Sequence, residues 1–210
     1  MTGDGYVETE IGTLPADWQV VQLGDVCSKG ETTNPQAHPE KEFVYVDVSA
    51  VSNQSYCIVA PTPTLGKDAS SRARKLIKWN DVLVATIRPS LKRIAIVPKA
   101  LDGQVCSTAF CVVRAKTDIA SPWFLFNLML TESVTARIAE LESGSSYPAV
   151  TDTHILDQLI PLPPLPEQKK DCRHPFQDSA SHRSAGEDYR AHQGTQECPD
   201  GKALHGRSAR

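Results

Sequence analysis

The sequence predicts an α+β domain in which a mixed, largely antiparallel twisted sheet comes first and helices follow. Three observations predict it. Val82-Leu83-Val84-Ala85-Thr86-Ile87 is a short apolar run, the pattern of a strand buried on both faces. Further strand-like runs, rich in β-branched and aromatic residues, cluster between residues 43 and 114. After residue 120 the period changes: Leu130, Val134, Ile138 and Leu141 recur at spacings of four, four and three, the buried face of a helix. No internal repeat interrupts this order.

Residues 1–10 are polar and read as a loose lead-in. From Ile11 to Val26 the chain carries Pro15 and Trp18 as anchors, and Gln22 to Cys27 reads as one helical turn or two. Gly30 to Lys41 is predicted as loop, broken by Asn34-Pro35 and His38-Pro39. Phe43 to Val48 and Tyr56 to Val59 are predicted strands, and Pro61 to Ser71 is predicted loop. Asp81 turns the chain into the Val82–Ile87 strand. Arg88-Pro89-Ser90-Leu91-Lys92 then connects it to a returning strand, Arg93 to Val97. Leu101 to Gln104 is a turn and Cys106 to Arg114 another strand. Ser121-Pro122 is a helix start, a cap followed by proline where its missing N–H is no loss. That helix carries Trp123, Phe124 and Leu125 before the periodic residues.

With 210 residues the chain has room for one domain and an appendage, and its 40% apolar content suits a soluble globular core. No apolar run reaches the length of a membrane span, and the N-terminus has no signal-peptide pattern, so no membrane contact is expected. The six cysteines form no CxxC pair, which speaks against a zinc site and suits a reduced, cytoplasmic setting. Cys106 and Cys111 lie in a strand-like run and read as small core hydrophobes.

Net charge is −3, but the distribution is uneven. Residues 1–66 hold two Lys/Arg against nine Asp/Glu, whereas residues 67–99 hold nine against two. The basic stretch comprises Lys67, Arg72, Arg74, Lys75, Lys78, Arg88, Lys92, Arg93 and Lys99. Such a run is either a solvated face around a hairpin or a grip on DNA phosphates. Catalysis finds little support: there is no glycine-rich cofactor loop and no P-loop. His38 lies in a proline-rich loop and His154 in a short helix, neither with a nucleophile or carboxylate near it in sequence. Asp81 and Asp102 sit in turns, where Asp bonds locally. No catalytic residue, metal or cofactor is assigned.

The most specific stretch runs from Ser143 to Lys170. Ser143-Gly144-Ser145-Ser146 is a turn cluster. Thr151 or Asp152 then caps a short helix carrying Ile155, Leu156 and Leu159. From Ile160 to Pro166 four prolines forbid a helix interior and a central strand, so the segment reads as a polyproline II strut. Glu167 to Lys170 are good helix formers. Taken alone, the proline run equally suits a linker or an SH3-type ligand. Taken with Leu14-Pro15-Ala16-Asp17-Trp18, Leu23-Gly24-Asp25-Val26, Asp81-Val82-Leu83 and Cys106-Ser107-Thr108, it resembles the target recognition domain of the DNA-specificity (S) subunits of type I restriction–modification enzymes.

That resemblance covers roughly residues 8–170. It implies a DNA target recognition domain over residues 8–166, with residues 167–170 opening a spacer helix. It implies double-stranded DNA as a partner, one half of a bipartite target being read. It also implies methyltransferase (M) and restriction (R) subunits, and no catalysis by the S subunit itself. The DNA-binding residues expected from charge and resemblance are Lys67, Arg72, Arg74, Lys75, Arg88, Lys92 and Arg93. Arg88 is the candidate for base readout, since it ends a strand beside a stiffening proline and Arg bonds guanine in a bidentate way. Base-reading residues of this family vary with the target, so no motif residue carries over. The rival readings are a protein-interaction module using the proline-rich segment and a small DNA-modifying enzyme.

Beyond Lys170 the text changes. Residues 171–210 contain no Ile, Val or Met, a single Leu at 204, and four of the six histidines. No helical or strand period appears, which predicts a disordered tail. Codons compatible with Asp171 onward, read one base later, spell IAAILSKI and continue as an amphipathic text like the spacer helix of S subunits. A truncated, frameshifted and non-functional form is therefore expected, monomeric because the tail lacks an apolar stripe for pairing.

Overall fold

The computed structural model describes residues 5–144 and 148–169. Its strands in chain order are β1 (Tyr6–Thr9), β2 (Gly12–Pro15), β3 (Gln19–Gln22), β4 (Cys27–Ser28), β5 (Glu31–Thr32), β6 (Glu42–Val46), β7 (Thr62–Leu65), β8 (Ala73–Leu76), β9 (Val82–Ala85), β10 (Ile94–Ile96), β11 (Val105–Ser107), β12 (Phe110–Ala115) and β13 (Leu159–Leu162). The α-helices are α1 (Pro122–Leu130), α2 (Glu132–Glu140), α3 (Asp152–Leu156) and α4 (Leu165–Gln168). Expectations for residues 171–210, including the disordered and out-of-frame tail, lie outside the described residues.

One sheet has the order β10-β9-β12-β4 and is antiparallel throughout. The other runs β5-β8-β11-β6-β7 and contains the parallel pair of β11 with β6. Two ribbons, β1–β2 and β13–β3, complete the set. The expected α+β, mixed and largely antiparallel arrangement holds, though the strands divide between two sheets rather than one.

β9 is the strand that two cores share. Val82 and Val84 join a cluster with Leu125, Phe126 and Met129 of α1 and Val134 and Ile138 of α2. Leu83 and Ala85 join a second cluster with Val46, Ile77, Cys106 and Phe110. Each of the four is at most 3% exposed. A strand covered on both faces has no reason to alternate, hence the uninterrupted apolar run. Truncating Leu83 to Ala would cost about 2–5 kcal/mol.

Several elements depart from the sequence reading. The lead-in is an antiparallel hairpin, with Gly12 at φ +114 beginning its second strand. Its strands are too short and polar to signal themselves. Tyr56 to Val59 is not a strand: Tyr56 sits at φ 53 and Ile58 makes one isolated bridge to Val51. Within the predicted 61–71 loop, β7 pairs with the outer side of β6, an edge position that tolerates Pro63. In the same loop, a Cβ on Gly66 would lie 2.1 Å from the His38 carbonyl oxygen, so only glycine fits.

The single helix expected over residues 122–141 breaks at Thr131, which turns extended (φ −63, ψ 145) and serves both as the last cap of α1 and the first of α2. Its hydroxyl donates to the Leu128 carbonyl at 2.7 Å, and its carbonyl accepts from Thr135 N–H at 3.0 Å. Leu141, past the end of α2, is 41% exposed.

The proline run is extended as expected, but it is a strand and not a strut. β13 pairs with β3, Pro161 lying opposite Val20. A two-stranded ribbon leaves one side of each strand without a ladder, which is where proline fits. Pro166 falls in the first turn of α4, where the missing N–H is no loss. Pro163 is buried, whereas Pro164 and Pro166 are exposed.

Candidate nucleic-acid interface

The basic stretch 67–99 wraps the β9–β10 hairpin, and the fold divides it between the hairpin's two ends. At the end where β9 finishes, backbone hydrogen bonds gather four segments. Thr86 N–H donates to Ala109 O at 2.8 Å, Thr108 N–H to Arg72 O at 2.8 Å, Arg88 N–H to Pro148 O at 2.8 Å and Val150 N–H to Thr86 O at 2.9 Å. Ser70, Arg72, Arg88, Ser90, Leu91 and Thr108 are exposed along this rim.

The turn on the rim has an unusual backbone. Arg88 (φ 48, ψ 58) and Lys92 (φ 51, ψ 43) both occupy the left-handed region and bracket a 3₁₀ turn, Pro89–Leu91. For residues with a Cβ this costs roughly 1–2 kcal/mol each. Two contacts and one buried residue hold the turn on the α2 side. Lys92 Nζ donates to Glu132 Oε2 at 2.6 Å, Ser90 N–H donates to Glu142 Oε1 at 3.2 Å, and Pro89 is buried.

The seven expected DNA-binding residues fall into two groups. Lys67, Arg72 and Arg88 are exposed. The other four are half-buried and committed to the fold. Arg74 donates to Asn34 Oδ1 at 2.6 Å and Gln36 Oε1 at 2.9 Å. Lys75 donates to Phe110 O at 2.6 Å and pairs with the Asp152 carboxylate, beside a cavity of about 440 Å³. Arg93 donates to the carbonyls of Val51 and Val48, and Lys92 braces α2. Charge in the sequence carries no sign of this division, because the partners Asn34, Gln36, Asp152 and Glu132 are distant along the chain.

At the opposite end of the hairpin Lys78 and Arg114 are paired with carboxylates. Arg114 grips Asp81 bidentately, Nε to Oδ1 at 2.9 Å and Nη2 to Oδ2 at 2.8 Å, with Asp81 1% exposed. Arg114 Nη1 reaches Glu31 Oε1 at 2.9 Å, and Lys78 pairs with the same carboxylate. Lys78 hydrogen-bonds the Glu31 carboxyl and lowers it below its ordinary value, with Arg114 adding to the effect. The bond to Asp81 pushes the Arg114 guanidinium up. Trp79, 50% exposed, lies under Lys99 Nζ at 5.9 Å from its ring centre. Sequence reading left Arg114 unassigned and gave Asp81 only a turn role. The signal available was a buried-strand arginine, which requires a carboxylate partner.

Two further groups find structural work. Thr151 caps α3, its side chain accepting from His154 N–H at 3.1 Å while His154 Nδ1 accepts from Thr151 N–H at 3.5 Å. Burial pushes the Cys27 and Cys106 thiols up to about 12 and raises Cys111 as well. At neutral pH these are protonated, poor nucleophiles and poor metal ligands.

Residues 15–174 match the family described as Type I restriction modification DNA specificity domain. The chain belongs to this family. Among relatives of this specificity domain, the Type I restriction enzyme HindI specificity subunit of Haemophilus influenzae is 29% identical over 160 residues, 74% of this chain and 34% of that one. The EcoDI specificity subunit of Escherichia coli is 29% identical over 170 residues, 78% of this chain and 35% of that one. The HsdS subunit from Thermoanaerobacter tengcongensis superposes with a TM-score of 0.71 at 49% identity, covering 76% of this chain and 41% of that chain. A chain from a structure of type I R-M complex assembly gives the same TM-score and identity. The specificity-domain chain thus spans about a third to two-fifths of the length of these relatives.

Within the specificity domain, the exit of the chain is fastened. Gln168, 1% exposed, accepts from Ser121 N–H at 2.8 Å and donates to Ile119 O at 3.0 Å and Pro163 O at 2.8 Å. Trp18 Nε1 donates to Glu167 Oε2 at 3.3 Å. The Glu-Gln pair after the prolines therefore ties α4 to the start of α1 and to Trp18, between β2 and β3.

Proposed function

We propose that this chain reads one half of a split double-stranded DNA target for a type I restriction–modification system, in the cytoplasm, and catalyses nothing itself. Residues 8–166 are the target recognition domain and residues 167–170 begin the spacer helix. In a whole S subunit, such a domain would position methyltransferase and restriction subunits on the DNA. The observation that carries the reading is the family match over residues 15–174. The exposed rim with Arg72 and Arg88, flanked in sequence by Lys67, supports a place for the DNA.

The test is fluorescence anisotropy of the full chain with duplex DNA across a salt series. One domain without its partners should bind in the nonspecific range, roughly 10⁻⁴ to 10⁻⁶ M, with a steep salt dependence. Lys67→Ala and Arg72→Ala should each reduce the slope of log K against log salt by roughly 0.9, the value for one phosphate. Absence of binding at low salt, or a slope indifferent to both substitutions, would overturn the reading.

A further inference from the structure

We propose that the Arg88–Lys92 turn is a preformed base-reading finger in which Leu91, at the tip, makes an apolar contact to a base edge beside Arg88. This rests on the DNA-binding reading above and names the residue that gives it part of its sequence preference. Arg88 and Lys92 hold left-handed backbone that glycine would adopt without strain. Strain of this kind persists only where the surroundings over-determine it, and it gathers at working sites. Here the surroundings are the Lys92–Glu132 pair, the Ser90–Glu142 bond and the buried Pro89, all on the α2 side of the turn.

What the brace presents is Leu91, 42% exposed, together with Arg88 and Ser90. A single exposed leucine is ordinary on a protein surface. This one stands on a braced turn between two strained cations, on the rim that also carries Arg72 and Thr108. The apolar feature that a major groove offers is the thymine methyl group, and the bidentate acceptor pair is guanine. A rigid tip spends little ordering entropy on contact. In this arrangement Lys92 is a positioning residue: its ammonium holds Glu132 and sets the angle of the tip.

Leu91 is neutral and releases no counterions, so its signature is sequence preference without salt dependence. The full chain is used to select from a pool of randomised duplexes, and the enriched duplex is compared with a scrambled one by anisotropy. Leu91→Ser should reduce the enriched-over-scrambled preference roughly fivefold or more, with the scrambled affinity, salt slope and Tm unchanged. Lys92→Gln and Glu132→Gln should each weaken the preference equally, since either breaks the brace. A loss of salt slope in Lys92→Gln alone would instead make Lys92 a phosphate contact and overturn its positioning role. If the wild type shows a preference that Leu91→Ser leaves intact, the finger is wrong while DNA reading stands. If the wild type binds without enriching any sequence, the finger is wrong while DNA binding stands. If it binds neither duplex, the proposed function falls and takes the finger with it.

Discussion

The two ends of the β9–β10 hairpin carry residues from one continuous basic stretch, yet the fold treats them oppositely. At the Trp79 end, Lys78 and the strand residue Arg114 are spent on Glu31 and Asp81. At the Arg88 end, carboxylates Glu132 and Glu142 sit behind the turn and brace it, while Arg72 and Arg88 remain exposed. The lesson is that local charge density in a sequence is not surface charge. What decides is whether the topology brings carboxylates against the cations or behind them.

The largest effect should come from the Arg114 end. Asp81→Ala leaves the Arg114 guanidinium, 13% exposed, without its bidentate partner and Lys78 N–H without its acceptor. Breaking a pair this buried costs about 3–5 kcal/mol. Thermal denaturation should show Tm lowered by roughly 10 °C. DNA affinity measured well below the transition should not change. An Asp81→Ala protein that stays folded but loses DNA binding would break the comparison, since it would place the Arg114 end in the interface.

The reverse pattern is expected at the exposed end. Arg72 has no side-chain partner among the described residues, so Arg72→Ala should move stability by no more than about 0.5 kcal/mol. Its effect should appear as weaker binding to every duplex and a flatter salt slope. A Tm drop rivalling that of Asp81→Ala would show that the two ends do not differ as described.

This contrast also marks how far the sequence could be read. β9 was legible because a strand covered on both faces must be apolar throughout. The Thr151 cap was legible because caps are local, and so was the helix start at Pro122, although the Ser121 side chain makes no capping bond. Thr131 was not, because the period of Leu130, Val134 and Ile138 continues across a break that one residue's backbone makes. The candidate site was half legible: charge located the 67–99 stretch, but Arg74, Lys75 and Arg93 are bound by partners that only tertiary contact supplies. Leu91 was invisible for the same reason, as nothing along the chain tells an exposed leucine from a buried one.

Acid should sharpen the comparison further. The Glu31 carboxyl titrates below its unfolded value, because Lys78 and then Arg114 favour its charged form. A depressed carboxyl contributes stability that is complete above the unfolded value of 4.5 and is lost as pH falls through the lower, folded one. Tm should therefore decline below pH 4.5, and Glu31→Gln should remove part of that decline. The Glu31 side chain is 51% exposed, so the effect is modest and salt-sensitive. If Glu31→Gln and wild type lose Tm in parallel over that range, Glu31 does not hold the two cations in solution.

The smallest effect is the most discriminating, because it applies one substitution to one backbone conformation at both ends. Asn80 (φ 68) and Arg88 (φ 48) are both left-handed. Asparagine visits this region more readily than arginine, so replacing Asn80 by glycine relieves little strain and adds unfolded-state entropy. Asn80→Gly should shift Tm by less than about 2 °C and leave DNA binding untouched. Arg88→Gly relieves more strain but also removes the interactions of the Arg88 side chain, so its Tm should shift little, yet its preference among duplexes should vanish. A fold-only role for Arg88 predicts that the two glycine variants behave alike on DNA. A working role predicts that only the Arg88 variant gives up recognition while its stability stays close to that of the wild type, the pattern expected where a strained residue is retained for function.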